Sequence, residues 1–393
     1  MRSIRQPKWL FNFLFIMLAL SSISLIEPSP YDLLFPILFG LSVYLFYLSF
    51  SPSALIPFIC LFLFIESHLA SFFMIKDISR FAEFTVISFY LIMTWFCFAG
   101  IVSRFKVTAA EAIFKGYVFS AVLAAFFGIA AYYHLLPFSE MFLMEGRVKG
   151  FFKDPNVFGP FLIPPSIFLL LKIEKYQGRR MLMVIMAICF ALLAIGVLLS
   201  FSRAAWGHFM LSMFIYLFFY HSSFKRRLIL LVTLLAFSIP ALFYITASSQ
   251  TAGLLHERFG YQEYDDTRFT KQMEALEIGI KHPLGIGPGQ SEEVFNHSTH
   301  SLYVRVFTEN GILGFIAFLV FYCLVLFQSL KNIFRHKGEE KGLFVVVFAS
   351  LLGIGFNSFF IDTLHWRHFW LLLALPWWQA EQDLNMDSKG YKT

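Results

Sequence analysis

The side chains best suited to chemistry gather in a few stretches of this 393-residue chain. One is His297-Ser298-Thr299-His300-Ser301-Leu302-Tyr303-Val304-Arg305, immediately ahead of a long apolar run. A histidine there can stay neutral near pH 7 and take a proton from a hydroxyl, or it can be an ordinary satisfied polar group. A second stretch is Arg147-Val148-Lys149-Gly150-Phe151-Phe152-Lys153-Asp154-Pro155-Asn156, where three cations and one acid alternate with aromatic rings. These residues either anchor the chain among lipid headgroups or dock an anionic group. Arginine suits phosphate because its planar fork donates two parallel hydrogen bonds. Arg203 lies in Phe201-Ser202-Arg203-Ala204-Ala205-Trp206, between two apolar runs. A cation there snorkels to the interface or takes an anionic or polar partner. Arg268 opens a segment of helical periodicity, and Arg305 follows His300 by little more than a helical turn.

The elements that must hold these groups are membrane helices. Hydrophobic residues make up 58% of the chain and charged residues 14%, with 53 phenylalanines and a mean hydropathy of +0.69. Soluble domains carry about 25% charged residues. So few charges exclude a soluble globular fold and a disordered chain. The apolar runs are continuous rather than alternating, which excludes a membrane β-barrel. The expected fold is an all-α polytopic membrane protein of about twelve spans of about 20 residues each. They lie near 9–27, 31–50, 54–75, 84–103, 113–134, 158–172, 181–200, 204–221, 227–248, 307–329, 343–362 and 366–380. The first lacks a signal-peptide cleavage site and is expected to remain a helix.

The short connections set the orientation. Those between alternate spans collect most of the Lys and Arg, which places both termini in the cytoplasm and the candidate residues on the outer side. In this class the net charge of +6 reports inner loops, not nucleic-acid binding. Cys60, Cys97, Cys189 and Cys323 all lie inside apolar runs and read as small hydrophobes. The whole chain, 1–393, is expected to be one integral membrane domain. Two outer loops stand out, 135–157 and a long one at 249–306, between the ninth and tenth spans. The long loop predicts a helix capped by Asp266 and Thr267, with Phe269, Met273, Leu276 and Ile280 as an apolar stripe and Pro283 after its end. Such a helix lies on the membrane surface or packs over the span ends. The run His282-Pro283-Leu284-Gly285-Ile286-Gly287-Pro288-Gly289 has no strand before it, so it reads as a tight exposed turn rather than a dinucleotide loop.

His300 and Ser301, nine residues, then Gly311 and Gly314 fill the pattern His-(Asn/Ser/Gln)-x9-Gly-x-x-Gly. In this the chain resembles the bacterial O-antigen ligases. Lys153-Asp154-Pro155-Asn156-x-x-Gly159, Ser202-Arg203-Ala204 and the glycine run at 282–289 resemble the wider ligase and polymerase superfamily. The resemblance covers most of the chain and is weakest in the first hundred residues.

That resemblance implies a glycosyltransferase at the periplasmic face of the bacterial inner membrane. The donor would be a glycan on undecaprenyl pyrophosphate and the acceptor lipid A–core, within membrane lipid. It further implies His300 as general base, Arg203 and Arg268 as pyrophosphate ligands, and Arg147, Lys149, Lys153, Asp154, Asn156 and Arg305 as further substrate-binding candidates. The family is regarded as metal-independent and cofactor-free. In keeping with this the sequence shows no Asp-x-Asp motif and no cluster at metal-ligand spacing. The alternative is a polymerase joining lipid-linked repeat units. Arg268, ten residues and Gly279 match the Arg-x10-Gly pattern of polymerase loops, whereas Arg147 to Gly159 has eleven residues between. A transporter would show charge at mid-membrane depth. Only Glu66, His68, His208 and Asp362 hint at that.

Overall fold

The computed structural model describes residues 7–176, 178–220, 263–295 and 300–378, with the side chains of 263–267 and 295 outside the description. The expected span at 227–248, the first part of the long loop, and the capping side chains of Asp266 and Thr267 lie outside the described residues.

Among the described residues the protein is all-α apart from one two-residue hairpin, β1 (Leu143–Met144) with β2 (Arg147–Val148). Five of the described helical segments are long and apolar enough to cross a membrane: Pro52–Met74, Ile78–Tyr132, Pro155–Lys175, Arg180–Leu199 and Leu302–Arg335. The chain is therefore a multi-pass membrane protein. Large apolar side chains such as Phe73, Met181 and Phe334 lie exposed on its outside, as fits a surface solvated by lipid rather than water.

The early helices show how the sequence draws their limits. α1 (Lys8–Ala19) has 12 residues, short of the expected 9–27. The reason lies in Ser21, Ser22, Ser24, Pro28, Ser29 and Pro30, which favour turns and caps over helix continuation. Ser29 then starts α2 (Pro30–Tyr44) through a capping box with Asp32. α3 (Leu55–Ala70) follows. α4 (Ile78–Tyr132) runs for 55 residues, roughly 80 Å at helical rise and too long for one crossing. It breaks at Lys106, with φ 48° and ψ −130°, so its two arms coincide with the separate spans expected at 84–103 and 113–134.

α5 (Pro155–Phe161) and α6 (Ile163–Lys175) form one rod. α7 (Arg180–Leu199) and α8 (Arg203–Tyr220) make a tight hairpin. At the Lys172 end of the rod, Lys172 Nζ reaches Glu111 and, at 2.7 Å, Glu339. At its Pro155 end lie the candidate residues.

In the long loop, α9 (Glu263–Lys281) starts three residues before the expected cap. Its small face packs on α11 (Leu302–Arg335): Ala275 is fully buried, and its carbonyl accepts from Thr308 Oγ1 at 2.9 Å. The expected apolar stripe faces outward, with Phe269, Met273 and Ile280 exposed. α10 (Gln290–Phe295) is short. α12 (Gly338–Asn357) packs on α8, and α13 (Arg367–Ala374) closes the described chain.

The turn expected to be exposed is so at Pro283 and Leu284 but not over its glycines. Residues 285–290 are buried, because they clasp a break in α11. Gly311 has φ 64° and ψ −167°, a conformation open in practice only to glycine. The break leaves helix carbonyls without their usual donors. Ile286 N–H donates to Thr308 O at 3.0 Å and Gly287 N–H to Glu309 O at 2.9 Å, while Pro283 O accepts from Ile312 N–H at 2.9 Å. Gly314, one turn on, serves close packing instead. A Cβ there would come within 2.4 Å of Ser67 Oγ, so α3 and α11 touch at this point.

Candidate functional site

His300 stands just before α11 in the left-handed region, at φ 51°. That conformation is costly for a branched or bulky residue and persists only where the surroundings enforce it. Three hydrogen bonds hold it here. Leu302 N–H donates to Ser358 O at 3.1 Å, Ser301 Oγ–H donates to the same carbonyl at 3.3 Å, and Gln272 Nε2 donates to His300 O at 3.4 Å. Ser301 is thus a tether to the end of α12 rather than a helix cap.

Burial lowers the His300 pKa from its usual 6.5, and the Arg268 charge lowers it further. Asp154 pulls it back up, Lys271 lowers it and Asp362 raises it. The net direction is down, so the imidazole is neutral at pH 7 and able to accept a proton. These influences also map the neighbourhood. The sequence points to Asp154, Arg268 and His300, and the fold brings the first two within charge range of the histidine. Lys271 and Asp362 join them unanticipated. Lys271 sits one helical turn from Arg268; Asp362 reads in sequence as a mid-membrane hint.

The first outer loop reaches this region through Arg147. Its Nε donates to Ser200 O at 2.9 Å and its Nη2 to Asn156 Oδ1 at 2.9 Å. Asn156 N–H donates to Asp154 Oδ1 at 2.7 Å, and Asp154 caps α5. Arg147 is buried and ties this loop to the α7–α8 turn. Ser202 Oγ accepts from Ala205 N–H and caps α8, which sets Arg203 exposed in its first turn. The positive end of the α8 dipole and Arg203 lie together there, an arrangement that favours an anion.

Other candidates lie elsewhere. Lys153 pairs with Glu27 at 2.8 Å, both more than half exposed. Lys149 is half-buried beside the hairpin, its N–H donating to Phe142 O at 3.0 Å.

Arg305 turns inward and is only 3% exposed. Its Nη1 donates to Asp362 Oδ2 at 2.6 Å, its Nε to Glu309 Oε2 at 3.2 Å and its Nη2 to Glu292 Oε1 at 3.3 Å. The guanidinium also stacks over Phe84, 4.7 Å from the ring centre. Glu309 accepts from Gly289 and Ser291 N–H, which straps the buried glycine run to α11. Gln290 carries the strap onward: its Oε1 accepts from Lys76 and Asp77 N–H, both at 2.9 Å, at the start of α4. Arg305 therefore fastens α10, α11 and the 358–366 turn together under His300.

The fold and these residues define a multi-pass, all-α membrane protein with a histidine–arginine centre at one end of its bundle. Residues 188–319 match the family model described as O-antigen ligase. The match supports a function of the ligase or polymerase type, that of a membrane glycosyltransferase. The matched stretch contains Arg203, Arg268, His300, Ser301, Arg305, Gly311 and Gly314; the loop from Arg147 to Asn156 precedes it. No curated protein matches the chain.

Proposed function

We propose that the protein is an O-antigen ligase, moving a glycan from undecaprenyl pyrophosphate to lipid A–core at the periplasmic face of the inner membrane. The observation that carries this reading is a neutral His300, locked in a strained conformation beside Arg268, inside the stretch that matches the family. In this reading about twelve spans cross the membrane, both termini are cytoplasmic, and the 135–157 and 249–306 loops build the site outside.

The reaction follows from these groups. An acceptor hydroxyl attacks the anomeric carbon of the donor sugar. His300 takes the hydroxyl proton as the new C–O bond forms. The bond from that carbon to the pyrophosphate oxygen breaks, and its electron pair stays on the leaving phosphate. Arg203, beside the positive end of α8, and Arg268 neutralise that charge. Attack opposite the leaving group inverts the carbon. Asp154 and Asp362 steady the imidazolium once it forms.

The polymerase reading rests on Arg268-x10-Gly279. Gly279 has a packing role of its own. A Cβ there would lie 2.7 Å from the Phe307 ring, so α9 needs a small residue to lie on α11. The pattern therefore favours polymerase less than its spacing alone suggests.

The deciding experiment is a lipopolysaccharide gel of the host with the gene deleted, beside the complemented strain. Bare core, with long polymer accumulating on the lipid carrier, is the expected result. Core bearing a single repeat would make the protein the polymerase. An unchanged ladder would overturn both readings for this glycan.

A further inference from the structure

α9 carries two kinds of exposed surface. Thr270, Glu274, Glu277 and Lys281 lie exposed along one side, as a helix facing water requires. Beside them Phe269, Met273 and Ile280 are 50%, 61% and 70% exposed. Spacings of four and seven residues keep these three on one face, apart from the face of Ala275 and Gly279 that is buried on α11. A helix with one side on protein, one polar and one apolar meets two solvents, water and hydrocarbon.

The apolar row leads on past the end of α9. Leu284 follows it and is 54% exposed. Pro283 O accepts from Ile312 N–H at 2.9 Å, and a Cβ on Gly311 would lie 2.5 Å from the Leu284 carbonyl carbon. Leu284 therefore stands at the level of Ile312. There α11 begins an exposed apolar face of its own, with Ile312, Leu313 and Ile316. α11 is long and apolar enough to cross the membrane, so this face is turned to lipid, and the row on α9 runs into it.

Other occupants fit the row less well. It is one side chain wide, whereas a stable interface with a second copy buries about 800 Å² on each partner. Between Glu263 and Lys281 the sequence carries five acids against three bases, a net of −2, so anionic headgroups do not draw the helix in. Burial of apolar surface is the force that remains.

We propose that α9 is seated in the bilayer surface at the His300 end of the bundle, with lipid acyl chains covering Phe269, Met273, Ile280 and Leu284. Gln272, the neighbour of Met273, donates to His300 O at 3.4 Å, so the seat links the backbone of His300 to the membrane surface. The proposal does not rest on the transferase reading, and its test needs no activity.

The test uses the full chain in phosphatidylcholine vesicles, with and without phosphatidylglycerol. Met273, Ile280, Glu277 and Ile316 are replaced in turn by photoreactive p-benzoylphenylalanine, and adducts are read by mass spectrometry after illumination. Position 316 supplies the lipid-facing reference and position 277 the water-facing one. Lipid adducts at 273 and 280 should approach the yield at 316 and exceed that at 277 roughly tenfold, as fits an apolar face sunk below the headgroups. The yields should be the same in both vesicles. Yields at 273 and 280 no higher than at 277 would overturn the seat. Cross-linked dimer in place of lipid adduct would overturn it in favour of a second copy. Adducts formed only with phosphatidylglycerol would overturn it in favour of headgroup charge.

Discussion

Arg305 lies on the helix that follows His300 and Arg268 acts on its imidazole, and the protein uses them in opposite ways. Arg305 is closed in by Asp362, Glu309 and Glu292, which come from three separate elements. All three charges are of opposite sign to its own, and the result is a rivet. Around His300 the strongest charge influence is a cation, Arg268, with Asp154, Lys271 and Asp362 setting mixed signs about a half-buried ring. That region holds a proton acceptor ready instead of fixing two elements together. Residue type does not mark Arg305 as structural. The three carboxylates the fold delivers to it do.

The sharpest way to break this contrast is to delete its two centres. His300→Ala should lower glycan transfer about 10²–10⁴-fold, the range for loss of a positioned base, while the amount of protein in the membrane stays normal. A variant that transfers glycan like wild type would end the role of His300 as base. Arg305→Ala should act on the fold instead. Removing one partner of a buried ion pair costs about 3–5 kcal/mol because the remaining charges are stranded. The expected result is a lowered melting temperature of the solubilised protein and little protein in the membrane. Arg305→Lys should recover only part of that, since one ammonium cannot face three carboxylates at once. Normal melting with a raised donor KM would move Arg305 back among the substrate ligands.

What is legible in the sequence follows the range of the forces involved. Membrane helices declare themselves through local composition, and the two arms of α4 are separable because Arg104 and Lys106 interrupt the apolar run. The signature from His300 to Gly314 is legible as spacing, but its reason is not. Gly311 breaks the helix and Gly314 admits Ser67, both contacts with distant segments. The glycine run at 282–289 reads as an exposed turn because its acceptors, the carbonyls of Thr308 and Glu309, become available only through that break. Arg305 stands among the substrate-binding candidates for the same reason: of its three carboxylates only Glu309 lies one helical turn away in sequence. The stripe on α9 has the right period and points the other way, since Ala275 and Gly279 let that helix approach more closely than Phe269 or Met273 would.

A finer test separates the charges around His300. Its neutral form is the base, so transfer should fall as pH drops through the His300 pKa, which lies below 6.5. Lys271→Gln removes a neighbouring positive charge. The imidazolium becomes easier to form, the pKa rises, and the acid limb of the rate profile should move to higher pH. Arg268→Lys keeps its charge and should leave the limb in place while weakening donor binding, because the bidentate fork is gone. An acid limb that stays fixed in Lys271→Gln would remove Lys271 from the neighbourhood of the base.

The smallest effect is expected at Lys153, whose cation the sequence ranks beside those of Arg147 and Lys149. Its partner is Glu27, and the two side chains are 57% and 58% exposed. Pairs of this kind contribute about 0–1 kcal/mol because water and salt screen them. Lys153→Ala should therefore leave melting and the donor KM close to wild type, in contrast to Arg147→Ala, which strips Ser200 O and Asn156 of their buried donor and loosens the loop that presents Asp154. A large rise in donor KM for Lys153→Ala would mean that Lys153 leaves Glu27 for the pyrophosphate when donor arrives. The first outer loop would then belong to the donor site rather than to its support.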